Sequence, residues 1–269
     1  MKLLEEQEAN VSDAFSKQSK IFDEIEEKNP VILWMREQVR KHELSILKPG
    51  ETILELNAGT GMDGLFFAQK GFSVHATDNA EGMLDELTKK ISANNLSDKI
   101  TVQRCSFNNL ENLYGKKYDH VFSNFGGLNC SENLSDVIKK LGPLLNVNAT
   151  VTLVIMPPVC PWEIALALKG NFKVAFRRLN KNGAVSHLEG NYFKTYYYSP
   201  KYLTKVFGAA YKRVSLKGLA SISPPPYLEN IPRKYPRLYK MLIKMDEKLC
   251  SYKPFNSWAD HYIITFRKQ

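Results

Sequence analysis

Short apolar runs alternate along this chain with stretches whose apolar positions recur every three or four residues. One run ends at Ile53, Leu54 and Leu56, and others span residues 72–77, 99–105, 118–123 and 150–156. They lack the polar–apolar alternation of a strand with one wet face, so they read as strands buried on both sides. Between them the helical period predicts helices over 64–69, 81–93 and 132–145, the second with Met83, Leu84, Leu87 and Ile91 on one face. Strands alternating with helices predict an open parallel sheet covered on both faces. Right-handed crossovers then gather the ligand-facing loops at its carboxyl edge.

The flanks differ in pattern. Residues 5–28 mix acids and lysines around Val11, Phe15, Phe22 and Ile25, the pattern of a polar helical arm with a few apolar anchors. Pro30 suits the first turn of a second helix, which carries Leu33, Arg36, Arg40 and Leu44 and stops at Lys48-Pro49-Gly50. Past Pro157-Pro158 come a helix and loop over 159–183, two short strands within 184–198, and a helix to Phe207. A sixth strand spans 211–222 and a last one 261–266. Between these two, a helix over 236–249 has Leu238, Leu242, Met245 and Leu249 on one face and Arg237, Lys240, Lys244 and Lys248 beside it, as in an amphipathic lid or docking helix. The expected organisation is a single domain over 1–269. It has an arm or lid at 1–48, a ligand-binding core at 49–157, and substrate-side insertions at 158–199 and 223–256.

Charge changes this picture through its placement. The net charge is +9, but residues 200–269 hold 14 Lys/Arg against 4 Asp/Glu, while the remainder is nearly balanced. A basic C-terminal quarter can steer an anionic or lipid-like substrate, RNA or a membrane surface, or be only a solvated face. No run of 18 apolar residues predicts a membrane span. The acidic N-terminal stretch does not resemble an export signal. Cys105, Cys130, Cys160 and Cys250 are too scattered for a C-x-x-C metal or redox pair, so a cytoplasmic protein without a metal site is expected.

The candidate chemistry centres on Ile53–Leu65, a strand, a tight turn and a helix. Gly59 and Gly61 let the backbone approach a ligand and leave helix N–H groups free to meet it. Asp78 ends the second strand, where a carboxylate can accept two hydrogen bonds from a ribose diol. A dinucleotide would place pyrophosphate at the helix start, but Asp63 stands there and Glu55 precedes the turn. This favours a ligand with ammonium or sulfonium character.

Glu55-Leu56-Asn57-Ala58-Gly59-Thr60-Gly61, followed by His75-Ala76-Thr77-Asp78-Asn79-Ala80-Glu81-Gly82-Met83-Leu84, resembles the class I S-adenosylmethionine-dependent methyltransferases, particularly their small-molecule and UbiE-like members. The resemblance covers about residues 30–155. It implies a Rossmann-like α/β fold, a seven-stranded mixed sheet with a reversed last strand, flanked by helices. It also implies S-adenosylmethionine as methyl donor and S-adenosylhomocysteine as product. Carried over, the methionyl end falls on Glu55, Asn57, Gly59 and Gly61, the ribose on Asp78 with Asn79 and Met83 beside it, and adenine on Ser106 and Phe107. Asn124 and Phe125 match the loop that meets the cofactor's amino acid end and the transferred methyl. Two positions depart from the pattern: Asn57 replaces the first glycine, and Ser106 stands where many members carry an Asp for the adenine amino group. Asn124-Phe125-Gly126-Gly127 is not the D/N-P-P-Y/F motif, which argues against the enzymes that methylate amino groups of DNA or protein glutamine.

Methyl transfer needs alignment and exclusion of water, and for an O or N acceptor sometimes a base. Candidate bases are His187, His261, Tyr192 and the Tyr196–Tyr198 run, with Tyr197 at its centre, and for each one taken singly ordinary packing is the commoner reading. Phe193 and Tyr196–Tyr198 suggest an aromatic wall over the acceptor, with Phe15 and Phe22 as a lid opposite. The expected activity is methyl transfer to a small organic acceptor; an RNA substrate or a non-catalytic protein keeping the fold are the alternatives.

Overall fold

The computed structural model describes residues 2–269. Two helices, α1 (Lys2–Lys28) and α2 (Pro30–Leu44), precede the sheet. Then follow β1 (Thr52–Leu56), α3 (Met62–Gln69), β2 (Ser73–Asp78), α4 (Glu81–Ala93), β3 (Ile100–Arg104), β4 (Tyr118–Ser123), α5 (Leu134–Leu141) and β5 (Leu145–Ile155). Two short helices, α6 (Pro161–Ile164) and α7 (Phe172–Phe176), lead to the hairpin β6 (Ala184–Leu188) and β7 (Asn191–Thr195). The chain closes with α8 (Pro200–Phe207), β8 (Tyr211–Leu219), α9 (Asn230–Lys234), α10 (Pro236–Leu249) and β9 (His261–Lys268).

The main sheet has seven strands in the order β3-β2-β1-β4-β5-β9-β8. Strands β1 to β5 pair in parallel, while β9 runs antiparallel to both β5 and β8, so the last strand is the reversed one. The chain reverses its stepping direction between β1 and β4, and there the loops part to leave a crevice. Strand alternation sorts the core. Leu54, Leu56, Val121, Leu153 and Ile264 face α5 and α8, while Ile53, Phe122, Val154 and Ile263 face α2, α3 and α4. Glu55, two residues beyond Ile53 and so on the same face of the pleat, faces α3, its Oε2 lying 2.5 Å from where a Gly64 Cβ would be. Among the described residues no helix is long and apolar enough to cross a membrane.

Several element ends and one helix face differ from the sequence pattern. Strand β5 begins five residues early, because Asn148 takes φ +64 and lets a polar stretch continue the ladder past an irregularity between Tyr118 and His120. Helix α5 is two turns shorter than expected, since Gly142 and Pro143 turn the chain into β5. Helix α10 packs on Tyr239, Ile243 and Asp246 rather than on Leu238 and Met245, which are exposed. Asp246 accepts from the N–H groups of Ser221, Ile222 and Ser223, tying the helix to the end of β8.

Two buried histidines on this scaffold set an acid limit to stability. Burial pushes His42 and His75 each down to about 4, and their rings meet the hydroxyls of Thr265 and Thr101. The unfolded chain, with ordinary histidines, takes up protons first as pH falls. The stability held by the neutral rings is complete above about pH 6.5 and is lost towards pH 4, by roughly 3 kcal/mol per ring at most. Urea unfolding between pH 7 and 4.5 should show this loss, and His42→Gln should flatten the profile over that window.

Candidate active site

The turn after β1 begins at Asn57, whose φ of +48 is the left-handed conformation that Asn tolerates better than other side chains. Its Oδ1 accepts from Ser123 Oγ at 2.6 Å and its Nδ2 donates to the Asn124 carbonyl at 3.1 Å, stapling the turn to the loop after β4. Asn57 therefore supplies both the conformation of the usual glycine and a clamp. Opposite it, Gly127 is obligatory, because a Cβ there would lie 2.3 Å from the Asn57 amide. The Gly59 N–H donates to Asp78 Oδ2 and the Ala80 N–H to Asp78 Oδ1, each at 2.8 Å. Both carboxylate oxygens are thereby fixed, and each keeps capacity for a further donor. Burial pushes the Asp78 carboxyl up and these backbone donors draw it back.

Behind the turn lies a charge cluster that no local pattern announces. Arg36 pairs with Glu26 and Asp63, and Arg40 Nε donates to Asp63 Oδ1 at 2.8 Å. Asn124 Nδ2 adds a donor to Asp63 Oδ2 at 2.8 Å, and the Arg36 guanidinium lies 4.7 Å over the Phe125 ring. Burial alone would raise Asp63, but the two arginines and Asn124 hold it below the usual carboxylate range. Asp63 is thus neutralised within the protein, and the repulsion of phosphate expected from it falls away. Glu55 lacks such partners. Its Oε2 is buried without a hydrogen-bond partner, and burial together with the Asp63 charge pushes its carboxyl well up. An arriving cation would relieve that orphaned acceptor.

Helix α1 closes the crevice from above. Ser12 Oγ donates to the Asn79 carbonyl at 3.0 Å, Gln7 Nε2 to the Cys130 carbonyl at 2.8 Å, and Asn10 Nδ2 to the Tyr192 carbonyl at 3.1 Å. Thr60 Oγ1 donates to Asp23 Oδ1 at 2.5 Å, and Lys90 pairs with the same carboxylate. Gly82 permits the close approach, since a Cβ there would meet the Ser16 carbonyl at 2.6 Å. The resulting cleft, mouth included, holds about 1030 Å³.

Of the residues expected at the cofactor, Glu55, Asn57, Gly59, Asp78, Asn79, Met83, Ser106, Phe107, Asn124 and Phe125 all line this cleft. Gly61 does not. It backs onto α4, where a Cβ would lie 2.1 Å from Leu87, so its φ of +80 serves packing. Phe15 and Phe22 line the cleft from the α1 side. The aromatic wall is different from the expected one. Tyr196 and Tyr198 are buried in the core, with Tyr198 Oη donating to the Ser131 and Glu132 carbonyls, while Phe193 meets the lid, 6.4 Å from Phe15. The Asn129 side chain, unremarked in the sequence, is wholly buried and bonds Met156 and Tyr196, fixing the loop after β4.

The candidate bases are not together. His187 is exposed on the β6–β7 hairpin, its ring 4.6 Å from Tyr192, away from the cleft lining. Tyr197 lies beneath the Arg178 guanidinium, and burial pushes its phenol up. His261 sits directly behind the lining, edge-on to Phe125 at 5.9 Å, with Nε2 only 3.3 Å from where a Gly126 Cβ would be. Its Nδ1 meets Asp260 Oδ2 at 2.8 Å, and Arg178 Nη2 donates to Asp260 Oδ1 at 2.8 Å and to Glu163 Oε1 at 2.7 Å. Burial would raise Asp260, but His261 and Arg178 hold its carboxyl far below the ordinary range. The ligand atoms of Cys160, Glu163 and Asp260 come within 4.8 Å of one another. Arg178 already occupies the charge of both acids, so the group is an ion-pair network and not a cation site.

The sheet order with its reversed last strand is that of the class I S-adenosylmethionine-dependent methyltransferase fold. Residues 53–147 match the methyltransferase domain family. No curated protein matches the chain by sequence. Among solved structures, a Listeria monocytogenes protein provisionally assigned as an S-adenosylmethionine-dependent methyltransferase is 18% identical, with a TM-score of 0.61 over 87% of this chain and 99% of that one. The Burkholderia thailandensis 1,6-didemethyltoxoflavin-N1-methyltransferase, with 1,6-didemethyltoxoflavin and S-adenosylhomocysteine bound, is 14% identical, with a TM-score of 0.59 over 97% and 88%. The magnesium protoporphyrin IX methyltransferase of Synechocystis PCC 6803, with S-adenosylhomocysteine bound, is also 14% identical, with a TM-score of 0.57 over 89% and 85%.

Proposed function

We propose that this chain transfers a methyl group from S-adenosylmethionine to a small organic acceptor by in-line displacement. The observation that carries the reading is Asp78. It holds the Gly59 turn through one oxygen and the start of α4 through the other, while its carboxylate lines the cleft where a ribose diol would lie. Bound there, S-adenosylmethionine supplies an already activated methyl carbon. The chain's own tasks are to hold the ribose at Asp78, to offer Glu55 and the Asn57 turn to the charged amino acid end, and to exclude water beneath Phe15 and Phe22.

For an acceptor that must lose a proton, we assign the base to His261. Asp260 fixes Nδ1 as the donor, which leaves Nε2 bare and aimed at the Gly126 backbone beside Phe125. The lysines of α10 lie along a separate groove with Arg237, Met241 and Met245, so they lend no support to an acidic acceptor in this cleft.

The test is calorimetry with S-adenosylmethionine and S-adenosylhomocysteine, followed by a screen of small hydroxyl, amine and thiol acceptors with isotopically labelled donor. Binding of both and labelling of a small acceptor is the expected result. No heat of binding with either, at millimolar concentration, would sink the reading.

A further inference from the structure

The adenine end of the cleft lacks the carboxylate that its strand-end position would supply in many members of this fold, because Ser106 stands there. The Ser106 hydroxyl is also fully engaged. Its oxygen accepts from the Asn108 N–H at 3.0 Å, and its proton goes to Glu8 Oε1. Glu8 comes from α1, almost a hundred residues earlier, and lines the same cleft beside Ser106, Phe107 and Met83. From this juxtaposition, and resting on the methyltransferase reading above, we propose that Glu8 is the carboxylate that reads the exocyclic amino group of the adenine ring, supplied by the lid instead of by the sheet.

The chemistry of the surroundings selects that ligand group. Met83 and Phe107 offer apolar surfaces for a flat ring. A carboxylate is an acceptor only, so at the ring edge it accepts an amino N–H and repels a 6-oxo group. Burial pushes the Glu8 carboxyl up, while Asn108 and the charge of Lys140 restrain it, which is the environment of an acceptor short of donors. Lys140 is itself held by Glu111, Asp136 and the Asn108 carbonyl, so it does not enter the cleft as a competing donor. Because Glu8 lies on the helix that roofs the cleft, cofactor recognition and closure of the lid over the acceptor become one event. Ser12, one turn further along α1, bonds the Asn79 carbonyl next to Asp78 and keeps the two ends of the nucleoside site in register.

The experiment is titration calorimetry of the intact protein with S-adenosylhomocysteine and with S-inosylhomocysteine, which carries oxygen in place of the amino group. Wild type is expected to bind the 6-oxo compound roughly 10- to 100-fold more weakly, the weight of one charge-assisted hydrogen bond. Glu8→Ala should weaken S-adenosylhomocysteine by a similar factor and leave the 6-oxo compound nearly unchanged, erasing the discrimination. Glu8→Gln, whose amide can also donate, should narrow it while preserving the packing. An unchanged thermal midpoint shows that the variants fold. Glu8→Ala with wild-type affinity and discrimination would overturn the proposal, as would an equal loss for both compounds, which would leave Glu8 a lid contact only. If wild type binds neither nucleoside, the methyltransferase reading itself fails. If it binds S-adenosylhomocysteine and only the discrimination is missing, Glu8 alone is refuted.

Discussion

Asp78→Ala is expected to weaken S-adenosylhomocysteine binding by about 100-fold or more. A carboxylate accepting from a ribose diol makes charge-assisted hydrogen bonds worth about 1.5–3 kcal/mol each, and about 1.4 kcal/mol is tenfold in affinity. The substitution also frees the Gly59 and Ala80 N–H groups, so the turn and the first turn of α4 lose the acceptor that fixes them. Affinity therefore falls through lost contacts and lost preorganisation together. Asp78→Asn separates the two. Its single carbonyl oxygen keeps one backbone donor and its amide presents a donor to the diol, so it should fold like wild type and still bind weakly. Calorimetry at one ionic strength, with thermal unfolding as the folding check, decides the matter. An Asp78→Ala protein that folds and binds with wild-type affinity would remove the ribose from this position.

The parts of this molecule that sequence made legible are those where one segment's burial dictates its composition. The strands in the middle of the sheet are covered on both faces, so they stand out as apolar runs, and their alternation with helices leaves few topologies open. Asn57 was legible for a similar reason, since few residues other than glycine accept that turn. Partners far apart in sequence were not legible. Arg36 meets Asp63, Asp246 meets the backbone of residues 221–223, and Glu8 meets Ser106, all through contacts made only once the chain has folded. Asp246 also shows why the face of α10 was misread. A carboxylate satisfied by three backbone donors is buried at less cost than the helical pattern assigns it, and the exposed Met245 next to it is an apolar residue left in water. Asp63 carries the same lesson. Its charge was visible and its neutralisation by Arg36 and Arg40 was not.

His261→Asn is expected to lower kcat for a proton-losing acceptor by about 10²- to 10⁴-fold while leaving S-adenosylhomocysteine affinity within a few-fold of wild type. The separation follows from placement, since His261 lies behind Phe125 and outside the cleft lining. A base works here only with its bare nitrogen turned to the site, and that orientation is set by Asp260, itself locked by Arg178 and through it by Glu163. Asp260→Asn should therefore also reduce turnover, because the amide no longer enforces donation from Nδ1. His261→Asn empties little volume, so a fall in cofactor affinity matching the fall in kcat would mean that His261 supports the Phe125–Gly127 loop instead of taking the proton. An acceptor methylated equally fast by both proteins would show that, for it, alignment and the sulfonium suffice.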